Sequence, residues 1–284
     1  MLTLTSTEMN TWMAALIWPL TRILGLISAA PLFGNASVPV SVKLVLGLLL
    51  ALIMAPTVPA MPAADPMSMA GLLILVQEML IGLGMGFAMR IVFAAVEMAG
   101  EVSSLTMGLG FATFFDPQSQ GRSSAISQFL ALVATMAFLA ANAHLVLLSA
   151  LAESFTSMPI MATPISGEAP LQLANWGGKI FSAGLQLALP IVAALLITNV
   201  ALGILTRAAP QLNIFGIGFP ISLGVGFLVI SLVMPYLGTP MQNLFNQGIE
   251  AGRALPRAAL PGKQPRAGGV GKQDNSAAKA SALQ

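Results

Sequence analysis

Residues Ala70–Val96 read AGLLILVQEMLIGLGMGFAMRIVFAAV, a long run that contains only two charged side chains, Glu78 and Arg90. An α-helix needs about 20 predominantly apolar residues to cross the roughly 30 Å hydrocarbon core of a bilayer. Backbone amides in lipid must form hydrogen bonds within their own segment, and this run is far too long for a strand of a transmembrane barrel. The run therefore predicts a transmembrane helix.

Five further apolar segments flank this run on both sides. They are Thr11–Pro31, Val40–Val58, Ile126–Ala152, Ile180–Leu205 and Ile214–Leu237. The chain of 284 residues is 56% hydrophobic and 8% charged, with a mean hydropathy of +0.86, whereas soluble domains carry roughly 25% charged residues. We therefore predict an all-α, polytopic membrane protein with about six long hydrophobic helices.

Charged residues are distributed unevenly along the chain. Residues 1–250 carry six Lys/Arg and nine Asp/Glu, whereas residues 251–284 carry six Lys/Arg and one Asp. The sequence pI of about 9.3 therefore comes from the end of the chain, and it does not indicate a nucleic-acid partner. We predict a helical membrane domain over residues 1–250 and a basic, disordered tail over residues 251–284, cytoplasmic by the positive-inside rule.

Ionisable side chains inside the predicted helices are the first group of candidate functional residues. Each costs at least about 2.5–3.5 kcal/mol to insert at a helix centre, so these side chains should not face lipid. They are Arg22 in the first helix, Glu78 and Arg90 in the third, and Glu97 and Glu101 at the end of the third. Two interpretations are open, namely a proton or ion relay and charge pairing between helices or subunits.

Small residues and helix breakers are a second group. Gly82 and Gly86 are four residues apart on one helix face, which allows the backbone of another helix to approach closely. Gly216, Gly218 and Pro220 occur together at the start of the last predicted helix. These residues predict bent helices that pack closely against other helices.

Cysteine and histidine, two residue types that often carry enzyme chemistry, are absent or nearly absent. The chain has no cysteine and a single histidine, His144, which excludes a cysteine nucleophile and a Cys/His metal cluster. It also lacks the H-E-x-x-H, G-x-S-x-G and Walker motifs. We predict no catalytic residue, no metal site and no cofactor.

The link between the third and fourth predicted helices has an unusual composition for a loop. Residues 103–117 read SSLTMGLGFATFFDP, with three phenylalanines within residues 111–115. A water-exposed loop would not retain these rings, and irregular backbone at membrane depth requires surrounding protein or a cavity. We predict a re-entrant segment or hydrophobic plug over about residues 103–120, and a short buried helix that ends at Asp116-Pro117 is the alternative.

Four sequence blocks together resemble the flagellar biosynthesis protein FliR family. They are Arg22-Ile23-Leu24 with Pro31-Leu32-Phe33-Gly34, Glu78-Met79-Leu80-Ile81-Gly82-Leu83, Glu97-Met98-Ala99-Gly100 with residues 107–117, and residues 209–220. The blocks stand in the order of the family, so the resemblance covers nearly the whole chain except the tail. Glu101 departs from the pattern, which has an uncharged polar residue at this position.

This resemblance implies a non-enzymatic subunit of the export gate of the flagellar type III secretion apparatus. Members of the family lie in the bacterial inner membrane at the flagellar basal body, where they assemble with FliP and FliQ into a closed cone of helical hairpins. A further partner, FlhB, lies at the entrance of this cone. Unfolded flagellar proteins pass through its channel during export.

The resemblance also implies roles for particular residues. The loop with Phe111, Phe114 and Phe115 would plug the channel. Flexibility would come from Met107, Gly108 and Gly110, and the loop would end at Asp116-Pro117. The buried charges, Glu78, Arg90 and Glu97 above all, would serve packing between subunits.

Two other functions fit parts of the sequence. A stand-alone, proton-coupled secondary transporter would use Arg22, Glu78 and Glu97 as its coupling site. Such transporters usually contain internal repeats, and the two halves of this chain show no convincing match. The gate subunit of a virulence injectisome is of the same type as the flagellar subunit and differs from it in motif detail.

Overall fold

The computed structural model describes residues 6–59, 62, 65–111, 124–161, 166–209 and 214–259. Within these ranges the chain forms nine α-helices and no β-strand. In chain order they are α1 (Ser6–Ala29), α2 (Val40–Met54), α3 (Met69–Thr106), α4 (Ala125–Ala140), α5 (Ala143–Ser157), α6 (Glu168–Gly177), α7 (Lys179–Ala208), α8 (Ile214–Val233) and α9 (Gly238–Ala258). All six predicted apolar segments are helical, which confirms the all-α fold.

Fewer helices than predicted are suited to cross a membrane. Among the described residues, four helical segments are long and apolar enough, and they are Val40–Thr57, Met69–Thr106, Glu168–Ala208 and Gly216–Tyr236. Helices α4 and α5 are long and apolar enough to cross a membrane only when they are counted as one segment. The apolar part of α1, Met13–Ala29, is shorter than the others. By length and composition, four or five segments could therefore span a membrane, compared with about six in the prediction.

The prediction that Ile126–Ala152 forms one continuous helix is wrong. It is broken between α4 and α5, which are bent by 66° relative to each other. Asn142 lies at the break with a φ of 54°, in the left-handed region that asparagine adopts more readily than most residues. The bend turns α5 away from the axis of α4.

Helix α3 is the element around which the others pack. It contacts α1, α4, α6, α7 and α9. The ring of Phe93 in α3 lies 5.6 Å from that of Phe138 in α4 and 5.9 Å from that of Phe245 in α9, as measured between ring centroids. On the neighbouring turn, Trp176 of α6 donates a hydrogen bond from Nε1 to the carbonyl of Ala88 at 3.0 Å. One helix thus positions most of the chain.

Helix α3 continues past its predicted end at Val96 and includes Thr106. No proline interrupts this stretch, and the helix ends where Gly108 adopts a φ of 86°. A glycine in this left-handed conformation is a common helix terminator. Residues 103–106 are therefore helical, and the predicted start of the plug segment at residue 103 is wrong.

Helix α9 includes the first residues of the predicted tail. Gly252, Leu255 and Ala258 are buried on one face of α9, and their helical spacing continues the apolar stripe beyond residue 250. Arg253 forms an ion pair with Glu153 of α5 at 3.3 Å. The predicted start of a disordered tail at residue 251 is therefore wrong. Residues 260–284 lie outside the described ranges.

Glycines allow the backbones of α1 and α3 to touch. A Cβ atom added to Gly82 would overlap the carbonyl oxygen of Arg22, and one added to Gly86 would lie 2.8 Å from the backbone nitrogen of Ala30. Gly25 of α1 faces α3 in the same way. Both predicted close-packing glycines of α3 therefore face a helix of their own chain.

We expect Gly82→Ala to destabilise the protein, because its methyl group would overlap backbone that cannot move without displacing α1. Overpacking of this kind typically costs about 1–3 kcal/mol. Thermal unfolding of the detergent-purified protein measures the loss. Gly203→Ala is the control, since a Cβ atom there meets nothing within 4 Å. Equal melting temperatures for the two variants would contradict the tight α1–α3 contact.

Candidate functional site

Arg22 and Glu78 form a buried ion pair between α1 and α3. The Nε atom of Arg22 donates to Oε2 of Glu78 at 2.6 Å, and Nη2 donates to Oε1 at 2.8 Å. The two side chains are 0% and 2% exposed. This two-point geometry matches the planar guanidinium to the carboxylate and gives a strong, directional interaction.

The remaining contacts of Arg22 come from α5 and the residue that follows it. Nη1 donates to Oγ of Ser154 at 3.0 Å, and Nη2 donates to the carbonyl of Met158 at 3.1 Å. The ring centroid of Phe155 lies 4.5 Å from Cζ of Arg22, a cation–π contact. A buried ion pair needs such additional partners to offset its desolvation. Arg22 therefore joins α1, α3 and α5.

This arrangement separates residues that the sequence analysis grouped together. Glu78 was assigned to packing between subunits, but both of its carboxylate oxygens bind Arg22 of the same chain. Glu97 is exposed and lies 19 positions further along α3, a distance of roughly 28 Å at 1.5 Å per residue. The structure therefore does not bring Arg22, Glu78 and Glu97 into one proton-coupling site.

Arg90 and Glu97 lie on the exposed face of α3. The prediction that these two side chains are buried is therefore wrong. They are seven residues apart, which places them two turns apart on the stripe that also exposes Phe87. Within the described ranges, neither side chain forms an ion pair. Helix α3 has 38 residues, more than the roughly 20 that cross a bilayer, and any part of this charged face that lay within the membrane would need a cover other than lipid.

Glu101 links the end of α3 to the start of α4. Its Oε1 atom accepts a hydrogen bond from the backbone N–H of Ser124 at 2.7 Å. Ser124 is the N-cap of α4, and its own Oγ accepts from the N–H of Ser127 at 3.2 Å. The sequence analysis missed this contact because the two partners are 23 residues apart and only folding brings them together.

The predicted plug residues fall partly within the described ranges. Met107 is fully buried and its side chain fills the space beside Gly226 of α8. Gly108 has the positive φ that ends α3, and Gly110 belongs to a short 3-10 turn. The side chain of Phe111 and the residues Phe114, Phe115, Asp116 and Pro117 lie outside the described part of the chain.

The glycine and proline group near residue 216 lies in the first half of α8. Gly218 is buried, whereas Gly216 and Pro220 are exposed. Helix α8 packs against α7, where Oγ of Ser222 donates a hydrogen bond to Oδ1 of Asn199 at 3.3 Å. The preceding part of this sequence block, residues 210–213, is outside the described ranges.

The described residues offer surface grooves but no metal-binding group. In these ranges, no set of three or more His, Cys, Asp or Glu residues is arranged to hold a metal ion. A groove of about 430 Å³ lies between α3, α6 and α9, with Leu80, Phe87 and Leu173 among its apolar walls. Another of about 670 Å³ lies between α4 and α8. Such walls are suited to apolar packing.

The fold and these contacts define the class as an α-helical, polytopic membrane protein with a buried ion pair and exposed charges on its central helix. A sequence profile described as "Bacterial export proteins, family 1" matches residues 13–248. The chain belongs to this family of bacterial export proteins. The match confirms the resemblance that the four sequence blocks indicated.

Individual relatives carry a more specific name. Over 247 residues the chain is 44% identical to the flagellar biosynthetic protein FliR of Pectobacterium carotovorum subsp. carotovorum, with 87% of this chain and 94% of the relative covered. Identity to the FliR protein of Escherichia coli (strain K12) is 42% with the same coverage. The FliR protein of Bacillus subtilis (strain 168) is 31% identical over 237 residues, with 82% and 91% covered.

We expect Arg22→Met to destabilise the protein by about 3–5 kcal/mol, because it leaves the Glu78 carboxylate buried without a cation. The double variant Arg22→Met/Glu78→Met should recover most of this loss, since no uncompensated charge remains. Thermal unfolding in detergent of the wild type, both single variants and the double variant measures the coupling. Losses that simply add in the double variant would contradict a coupled pair.

Proposed function

We propose that this protein is a non-enzymatic subunit of the export gate of the flagellar type III secretion apparatus. We place it in the bacterial inner membrane at the flagellar basal body. The observation that carries the proposal is its similarity, over 87% of its length, to proteins named flagellar biosynthetic protein FliR. The absence of cysteine and the single histidine support a role without catalysis.

The exposed charges of α3 support a role within a larger assembly. Lipid can cover the apolar side chains that α2, α7 and α8 expose, but it cannot cover Arg90 and Glu97 without a large cost. Polar or charged groups of neighbouring subunits would remove that cost. We propose that these neighbours are FliP and FliQ, which form a closed helical channel with this chain, and that FlhB lies at the entrance.

The segment that follows α3 is proposed to plug this channel. Its apolar residues Phe111, Phe114 and Phe115 would close the passage to ions by excluding water, as hydrophobic constrictions do in other channels. Such a seal has no fixed polar groups, so unfolded flagellar proteins of any sequence could displace it. Met107, which was expected to add flexibility, is instead held in the core beside Gly226 of α8, so the flexibility of the proposed plug would come from Gly108 and Gly110.

Alternative functions have less support. A stand-alone transporter would need its coupling residues near one another, and Glu97 lies far from the Arg22–Glu78 pair along α3. A virulence injectisome gate has the same kind of subunit, but the relatives described above are named as flagellar proteins. The flagellar export gate is therefore the function with the most support.

We expect deletion of residues 110–116 to make cells leaky to small ions while export persists, because the seal is lost and the channel remains. Membrane leak is measured with an ion-sensitive dye, and export by flagellar protein in the medium. A variant with Phe111, Phe114 and Phe115 replaced by serine keeps the length of the segment, and Phe181→Ser at an exposed site on α7 is its control. Loss of the assembled complex without any leak would show a structural role instead.

We expect this chain, tagged near Gln284 and extracted gently from its own cells, to be recovered in a large complex with FliP and FliQ. Arg90→Glu and Glu97→Lys should each lower partner recovery by roughly tenfold, because charge pairs across interfaces are often worth about 1.5 kcal/mol or more. Glu168→Lys, an exposed charge on α6, is the matched control.

Two outcomes of this experiment would contradict the proposal. Recovery of the wild-type chain as a lone monomer or homodimer, with FliP and FliQ expressed but absent, would overturn the role as a gate subunit. Proteoliposomes that contain this chain alone and accumulate a small solute would then support the transporter. Unchanged recovery of both α3 variants would remove Arg90 and Glu97 from the interface.

A further inference from the structure

Helix α9 exposes a face of uncharged amide side chains. Its members, here called the amide face, are Gln242, Asn243, Asn246 and Gln247. The other side of the helix is buried, with Phe245 and Gly248 among its residues. Within the described part of the chain, the four amide groups form no hydrogen bond. Each group has two N–H donors and one carbonyl acceptor, so this face can donate and accept hydrogen bonds without carrying charge.

The buried side of α9 holds the amide face beside the middle of α3. The ring centroid of Phe245 lies 5.9 Å from that of Phe93 in α3 and 5.3 Å from that of Phe138 in α4. A Cβ atom added to Gly248 would lie 2.6 Å from Cγ2 of Val92, so α9 and α3 are in close contact here. All four amide residues are within three positions of Phe245, or roughly 4.5 Å along the helix axis at 1.5 Å per residue. The amide face therefore lies at the level of Phe93, well inside the length of α3.

Helix α4 exposes apolar side chains at the same level. Met136 is 61% exposed and Leu132 is 63% exposed, and Phe138, two residues after Met136, contacts the rings of both Phe93 and Phe245. Exposed apolar surface is suited to lipid or to an apolar partner, whereas exposed amide groups need water or other polar groups around them. At this level the molecule therefore has one side for apolar surroundings and another for polar surroundings.

We propose that the amide face of α9 lines the water-filled passage of the export gate and contacts the unfolded polypeptide in transit. This inference rests on the proposed function as a gate subunit. An unfolded chain presents a backbone N–H and C=O at nearly every residue, and carboxamide groups can bind both, whatever the sequence. The face also does not select segments by charge, because its four members are neutral and the next exposed residue, Glu250, is paired with Arg253 at 2.9 Å.

The test uses single cysteines in the full-length chain, which has none of its own. Asn246→Cys places a thiol on the amide face, and Met136→Cys is the matched control on the apolar side at the same level. Each variant is expressed with the complete export apparatus and with an exported flagellar protein that is stalled in the channel by a stably folded domain. We expect Asn246→Cys to react with a membrane-impermeant, charged thiol reagent and to lose most of this labelling when the protein is stalled.

A photo-crosslinker attached to the cysteine identifies what lies against it. We expect crosslinks from Asn246→Cys to the stalled protein and none from Met136→Cys. Gln242→Cys lies one turn away on the same face and repeats the test if Asn246→Cys does not assemble.

Three outcomes would overturn this inference. Equal labelling of Asn246→Cys with and without the stalled protein, and no crosslink to it, would mean that the amide face meets water outside the passage. Crosslinks only to FliP or FliQ would place the face at a contact between subunits. In both cases, recovery of the chain in a complex with FliP and FliQ would leave its role as a gate subunit intact. Recovery of the wild-type chain without these partners would instead overturn the proposed function, and the inference with it.

Discussion

The arrangement of helices depends on the buried ion pair between Arg22 and Glu78. Two charges removed from water are stable only when each finds close, well-oriented partners. Arg22 obtains them from α3, α5 and Met158, and this is possible because Gly82 lets the α1 backbone lie against α3. The pair therefore fixes α1 and α5 relative to the central helix, and α3 in turn positions the rest of the chain.

Charged residues of α3 fall into two groups with different consequences. Glu78 and Glu101 bind partners within this chain, one a guanidinium and the other a backbone N–H. Arg90 and Glu97 point outward from a helix that is otherwise apolar enough for lipid. The first group serves the fold of the chain, whereas the second forms no ion pair among the described residues.

Much of the helical framework could be predicted from the sequence, because it depends on local properties. Six apolar segments of sufficient length are helical, as expected for a chain whose backbone must satisfy its own hydrogen bonds. The end of α3 at Gly108 reflects a local preference as well, but the apolar pattern placed this end too early, at Val96. The same local reasoning failed at Asn142 and after residue 250, where a bend and an amphipathic extension replace the predicted straight helix and tail.

By itself, the sequence determined the fold class, the family and the set of charged candidates, since composition, segment length and motif order need no third dimension. Only the tertiary structure decided which charges meet. Arg22 and Glu78 are 56 residues apart, and Glu101 and Ser124 are 23 apart. Helix crossings set these contacts through glycine-mediated approach, and a crossing depends on both partners at once. The identity of a residue on one helix therefore cannot reveal what lies opposite it.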